Sequence, residues 1–381
     1  MITPTGPDRA APDRTVHRRR LPLLAAAGVA ALAMTTLAPT ATAAPAPAQA
    51  PTGAATATAW PTPVLPRPTG PHRIGTTALH LVDRDRADPW VPARPRELMV
   101  SLWYPAVPRT GHGPVRYVTA RESTLILRSQ HVTGVPPHIL SRVRTHARGG
   151  ALPLPGRRAL VLLSPGFSLP RTSMTMLAEE LASRGYLVAA IEHTYESVAT
   201  TFPDGRVTTC VACESADPKA VIAGRVRDVS FVLDRLTGSD PGRRGRAADP
   251  VARWRQWVDA SRTAIVGHSI GGASAVVLPG TDRRVDAAVN LDGTMFADVP
   301  AAGRSAPVLL FGSNAAHLPG EDDTWDATWP RFEGWKRWLA MAGATHFSFI
   351  DYQLLAEQLG VPAPPGTVPG DRAWRITRHY V

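Results

Sequence analysis

The chain is poor in several things at once: among 381 residues there are two cysteines, two lysines against 40 arginines, 6% aromatic residues and 19% charged residues. Cys210 and Cys213 are too few to complete a zinc site, and no Cys/His set around them has finger spacing. The scarcity of lysine beside 38 prolines is the mark of a GC-rich genome, so the abundance of arginine is no sign of a binding surface. A nucleic-acid partner would need clustered cations with interleaved aromatics. The densest basic patch, Arg243, Arg244 and Arg246, instead stands beside glycines in a stretch that reads as a solvated loop. No apolar run reaches the ~20 residues of a membrane-spanning helix.

What is present begins with an address. Arg18, Arg19 and Arg20 form a basic start, Leu21 to Met34 an apolar run, and Ala41-Thr42-Ala43 a small-residue cleavage site. Residues 1–43 therefore read as a signal peptide, and the mature protein as secreted. The paired arginines leave the twin-arginine route open, although Pro22 interrupts the run behind them. Cleavage would remove five arginines and two aspartates, taking the net charge from +11 to +8, which is compatible with peripheral adsorption to anionic surfaces. In an exported protein, Cys210 and Cys213 are expected to pair as a local disulfide. Residues 44–70 alternate Ala, Pro and Thr and cannot bury enough apolar surface to offset chain entropy, so they read as a disordered linker ahead of one domain over 71–381.

Within that domain, the runs Thr77 to Val82 and Leu98 to Tyr104 predict the opening strands. Ala159 to Ser164 and Leu187 to Ile191 are continuous apolar runs, as strands covered on both faces should be. Thr263 to Val266, Ala287 to Leu291 and Val308 to Phe311 complete the strands. Helical spacing over Met174 to Arg184, over Pro218 to Leu236 and from Ile270 onward separates them. This alternation predicts an α/β fold with a mostly parallel central sheet and helices on both faces. Residues 121–155 and 313–343 are less regular and read as insertions over the upper edge of the sheet.

The chemistry is concentrated in Gly267-His268-Ser269-Ile270-Gly271, where an apolar strand turns directly into a small-residue helix. Such a turn forces a strained backbone on its central residue and requires glycine two positions to either side. Ser269 is thereby raised above the sheet as the candidate nucleophile. A serine needs a base, and the base an orienting acid, following it in the order Ser, acid, His. Among the later histidines His346, before an apolar stretch, is preferred over His317, which lies close behind a strand, and over His379 at the C-terminal end. Asp292, ending the strand Ala287 to Leu291, is preferred as the acid over Asp322, Asp323 and Asp326 in a polar run. His268 reads as a packing residue. The oxyanion donors are expected to be the N–H groups of Ile270, next to the nucleophile, and of Phe167, after Pro165-Gly166. No residue pattern implies a cofactor or a metal.

These residues resemble the platelet-activating-factor acetylhydrolase (plasma and intracellular type II) family of α/β-hydrolases. The resemblance runs from about Gly70 to about Gly360. It rests on Gly166 to Ser173, on Leu181 to His193, on the elbow, on Leu291-Asp292-Gly293-Thr294-Met295-Phe296, and on Thr345-His346-Phe347-Ser348-Phe349-Ile350-Asp351. It implies an α/β-hydrolase fold, supports Ser269, Asp292 and His346 one by one, and implies hydrolysis of short acyl esters of small molecules or lipids. A cutinase-like or lipase-like polyester or lipid hydrolase is the alternative, and an inactive binding protein on the same fold a third reading. One position departs from the family, which usually has His-Gly where this chain has Pro165-Gly166. Proline removes a side-chain hydrogen bond from the anchoring of that loop.

Overall fold

The computed structural model describes residues 60–238 and 251–381, so the expected signal peptide lies outside the described residues. Two long strands open the domain, β1 (Arg73–Ala87) and β2 (Pro95–Ala106). Helix α1 (Ala120–Ser129), the two-residue β3 (Arg148–Gly149), β4 (Arg158–Ser164), α2 (Thr175–Ser183) and β5 (Leu187–Glu192) follow. A small hairpin, β6 (Thr200–Thr201) with β7 (Val207–Thr208), precedes α3 (Pro218–Thr237), β8 (Val258–His268), α4 (Ile270–Val277) and β9 (Ala287–Leu291). The chain ends with β10 (Val308–Ser313), α5 (Asp323–Thr328), β11 (Lys336–Met341), α6 (Asp351–Gln358) and α7 (Gly370–Tyr380).

Nine strands form one sheet in the order β11-β10-β9-β8-β4-β5-β2-β1-β3. From β5 to β11 every neighbouring pair is parallel, whereas β2 runs antiparallel to both β5 and β1. Strand β4 shows why its sequence is apolar without alternation. Leu160 and Leu162 pack into the core under α3 and α4, while Val161 and Leu163 pack into the opposite core with α2, α6 and α7. Successive side chains point to opposite faces, so a strand with helices on both sides must be apolar at every position. Burying each such side chain contributes about 1.5–3 kcal/mol.

The helices start and stop on local chemistry. Asp217 caps α3 by accepting from Ala220 N (3.2 Å), Pro218 occupies its first turn, and Gly238 ends it in a left-handed conformation at φ 75°.

Three expectations need correction. Residues 313–343 are not an irregular insertion, because α5 and β11 make a regular crossover and add the edge strand of the sheet. Packed chain also begins ahead of residue 70: Leu65 is 1% exposed, and Thr69 N donates to Glu180 Oε2 (2.8 Å). His379, passed over as a chain-end residue that would be mobile, lies instead in the helix α7, whose Trp374 and Thr377 are buried.

Candidate active site

Ser269 stands between β8 and α4 with φ 57° and ψ −131°, the strained elbow its flanking glycines imply. The steric reason for those glycines lies in what surrounds them. A Cβ on Gly267 would stand 2.0 Å from the Gly271 carbonyl oxygen, and one on Gly271 would stand 2.2 Å from Ser164 O. The glycines thus let the elbow close on itself and on β4, rather than clearing space around the serine. The first N–H groups of a helix have no intrahelical partner, so the N–H of Ile270, the first residue of α4 after Ser269, is not used within that helix.

Asp292 follows β9 directly, also at positive φ (57°), with its N–H bonded to Phe311 O (2.9 Å). Its Oδ1 accepts from Ser313 N (2.5 Å) and its Oδ2 from His346 Nδ1 (2.6 Å). Burial raises the Asp292 carboxyl, but the hydrogen bonds from His346 and Ser313 outweigh it and hold the group below the ordinary carboxylate range. An ionised carboxylate only accepts, so His346 carries its proton on Nδ1 and presents Nε2 as the basic nitrogen. The acid is buried, whereas the His346 side chain is 46% exposed.

His346 sits in a short 3-10 turn capped by Thr345 and Ser348. That turn is fastened to the elbow by the residue next to the nucleophile: His268 Nε2 donates to the His346 carbonyl (2.8 Å), and the two rings lie 4.6 Å apart. Burial, reinforced by the adjacent His346, pushes the His268 imidazole down to about 3, so it stays neutral. Its Nδ1 is buried and has no hydrogen-bond partner. His268 is therefore more than the packing residue expected, because it ties the turn that carries His346 to the elbow that carries Ser269.

A second histidine flanks the acid. His317 is 4% exposed, bonds through Nδ1 to Asp322 Oδ2 (2.5 Å), and places Nε2 3.6 Å from Asp292 Oδ1. Trp325 stacks on its ring at 4.2 Å. Asp322, a rejected candidate for the acid, thus serves this neighbour and caps α5, while Asp326 accepts from Gly320 N. Neither is bonded to His346.

Beneath the Pro165-Gly166-Phe167 loop lies a buried ionic cluster that the sequence reading missed. Arg96, 0% exposed, forks onto Asp228 (3.0 and 2.5 Å) and also reaches Asp88 (2.8 Å). His193 bonds through Nδ1 to Asp228 (2.8 Å) and through Nε2 to Ser164 Oγ (3.0 Å). Arg225 donates to Glu196 Oε2 (2.7 Å) and to the Pro165 carbonyl. Arg225 and Asp228 lie four and seven residues after Val221, on the helical face that the apolar pattern turns to the core. Charges at core positions were the available signal.

The loop itself lies against the elbow, since a Cβ on Gly166 would stand 3.2 Å from Ser269 Cβ. Beside His346 opens a cavity of about 390 Å³ lined mainly by apolar side chains, among them Ile126, Leu127, Leu140, Phe347, Leu355 and Leu359. Cys210 and Cys213 form the expected disulfide. Among the described residues no group of three or more His, Cys, Asp or Glu side chains is placed to hold a metal ion.

The family model for platelet-activating factor acetylhydrolase, isoform II, matches residues 64–216 and 247–360. The chain belongs to this family. A probable 1-alkyl-2-acetylglycerophosphocholine esterase from Arthroderma benhamiae is 25% identical over 358 residues, covering 84% of this chain and 86% of that one. Platelet-activating factor acetylhydrolase from Cavia porcellus is 27% identical over 212 residues, and the match takes in 51% of this chain and 48% of the guinea-pig protein. Among solved structures, a ferulic acid esterase from Streptomyces cinnamoneus superposes with a TM-score of 0.71 at 44% identity, covering 84% of this chain and 91% of that one. The chain is thus an esterase of the α/β-hydrolase type.

Proposed function

We propose that the chain hydrolyses carboxylic esters through an acyl-enzyme on Ser269, with His346 as general base and Asp292 as the acid that orients it. The observation that carries this reading is the 2.6 Å hydrogen bond from His346 to a buried Asp292, at the sheet edge that also carries the Ser269 elbow. His346 Nε2 takes the hydroxyl proton as Oγ attacks the ester carbonyl, and the imidazolium formed is stabilised by Asp292. The carbonyl oxygen, now negative, is held by the N–H groups of Phe167 and Ile270. His346 then protonates the departing alcohol, and a water activated by the same nitrogen releases the acid.

The acyl group is proposed to be short, from the family. Because His346 hands its proton to the leaving oxygen, the apolar cavity beside it suits the alcohol portion of the substrate. The ferulic acid esterase supports a second reading, a hydroxycinnamoyl ester; a lipase-like or cutinase-like activity is the third. Values of kcat/KM for nitrophenyl esters from two to sixteen carbons, with methyl ferulate and a polyester film in parallel, separate the three. A maximum at two to four carbons is expected, graded rather than absolute, since each methylene changes binding by only about 1–3 kcal/mol. A maximum beyond eight carbons, film erosion, or methyl ferulate exceeding the acetate ester would each displace the short-acyl reading.

Export is proposed with it, on the basic start, the apolar run and Ala41-Thr42-Ala43, supported by the Cys210–Cys213 disulfide. Secreted protein is expected to begin at Ala44, and an N-terminal sequence beginning at Met1 would contradict it.

A further inference from the structure

We infer that Arg225 is a positioning residue for the oxyanion hole: buried beneath the Pro165-Gly166-Phe167 loop, it holds the loop's carbonyls so that the Phe167 N–H faces the nucleophile. The inference rests on the reading of Phe167 as an oxyanion donor and deepens it.

Arg225 extends from α3 and is 1% exposed. Its Nη1 donates to the Pro165 carbonyl and lies 3.5 Å from Ser164 Oγ; its Nη2 reaches Gly166 O at 3.4 Å. Gly166 O also accepts from Leu169 N at 3.3 Å, so two donors fix that peptide from the same end. In a trans peptide the C=O and the following N–H point in opposite directions. Turning Gly166 C=O toward the guanidinium therefore turns Phe167 N–H away from it. The loop also meets the elbow here, with Gly166 packed against His268 and Ser269.

The guanidinium is itself immobilised. Its Nε donates to Glu196 Oε2, and the other carboxylate oxygen of Glu196 accepts from Trp90 Nε1 (3.1 Å). The Glu196 main-chain carbonyl accepts from Ser168 N (3.0 Å), which binds the far end of the same loop. Arg225 thus supplies from below the anchoring that Pro165 cannot supply from its side chain. A cation bonded to the carbonyl of a peptide also polarises that peptide and strengthens its N–H as a donor.

The test uses the full-length enzyme, nitrophenyl acetate, and an alkyl trifluoromethyl ketone, whose adduct with serine places an oxyanion in the hole. Arg225→Lys keeps the charge but cannot fork onto the loop. The double variant Arg225→Met with Glu196→Gln leaves no buried charge unpaired and decides the matter if the lysine variant does not fold. In either folded variant kcat is expected to fall roughly 10- to 100-fold, with KM within about threefold and ketone affinity falling in step with kcat/KM. A folded variant with kcat within threefold of the parent, or one that loses kcat while binding the ketone normally, would overturn the inference. Phe167→Pro, which deletes the N–H, separates the two levels. If it folds and keeps both kcat and ketone affinity, the oxyanion reading itself fails. If it loses both while the Arg225 variants keep both, only the role of Arg225 fails.

Discussion

The two sides of the catalytic edge are built by opposite means. Under the loop after β4, Arg96, Arg225, Asp88, Asp228 and Glu196 are all buried and paired with one another. Across the elbow, Asp292 after β9 is buried with His317 beside it, but His346, after β11, stands nearly half exposed on a short 3-10 turn. The difference follows from the tasks. An oxyanion donor must not move as charge develops, and buried, fully bonded charges resist motion because any displacement leaves one of them unpaired. A base must exchange protons with substrate and water, so its ring has to be reachable, and orientation by one strong hydrogen bond is enough.

The largest effects should come from the exposed side. Ser269→Ala and His346→Ala are each expected to lower kcat by about 10⁴-fold or more while leaving the melting temperature nearly unchanged, and the pair together should lose little beyond either alone. Fluorophosphonate labelling together with steady-state rates measures both points. Additive losses would mean that the two residues do not act as a unit.

Asp292→Asn is expected to cost somewhat less or about as much, because the imidazolium loses its counter-charge and its fixed tautomer. His317→Gln tests the neighbour that faces the other side of Asp292. It is expected to lower kcat by only about tenfold, since the acid keeps its bonds to Ser313 N and His346, which hold its carboxyl down. An inactive His317→Gln variant beside an active Asp292→Asn variant would reverse the assignment of acid and support.

Deeper on the buried side, at Asp228, the same kind of substitution should show first as a loss of fold stability. Asp228→Asn removes a carboxylate that faces Arg96, Arg86 and His193. Burial raises this carboxyl, but Arg96 and His193 more than compensate and hold it well below its ordinary range. Breaking such a pair costs about 3–5 kcal/mol, and urea unfolding should show it at pH 7. A loss under 1 kcal/mol would mean that the cluster is solvated in solution and does not rigidify the loop.

How much of this was legible in the sequence tracks the same division. The strands β4, β5, β8 and β9 and the elbow could be read because apolar runs and the glycine spacing are local signals. Strand β11 was harder to read, since it opens on Lys336-Arg337 and lies half-buried at the sheet edge, with only Met341 of Trp338-Leu339-Ala340-Met341 fully buried. The ionic cluster was hidden for another reason. Arg96 and Asp228 stand 132 residues apart, and nothing local says that either charge is paired. The pairing is a property of the topology, which lays β2 beside β5 and so brings Arg96 to Thr194 and Asp228. The exact reach of 313–343 failed on the same ground as β11, by reading polar residues as loop.

The smallest effect concerns pH, and it arises where the two sides meet, at His268. Its imidazole is held at about 3 in the folded protein against an ordinary 6.5. Between those values the unfolded chain binds a proton that the folded protein refuses, so stability rises with pH through this window and is lost as pH falls from 6.5 toward 3. Buried His193 is lowered as well, by burial and by the Arg225 charge despite its bond to Asp228, and adds to the slope in the same sense. Glu192 opposes it, because burial raises that carboxyl despite Arg171, and its contribution is lost as pH rises instead. Together the two histidines make acid destabilisation on the order of a few kcal/mol. His268→Gln retains an N–H able to reach the His346 carbonyl but does not titrate. Melting temperatures recorded from pH 4 to 7 are expected to be flatter for this variant than for the parent, with similar values at pH 7. Curves of equal slope would show that His268 is not the neutral, sealed imidazole that its position between base and nucleophile requires.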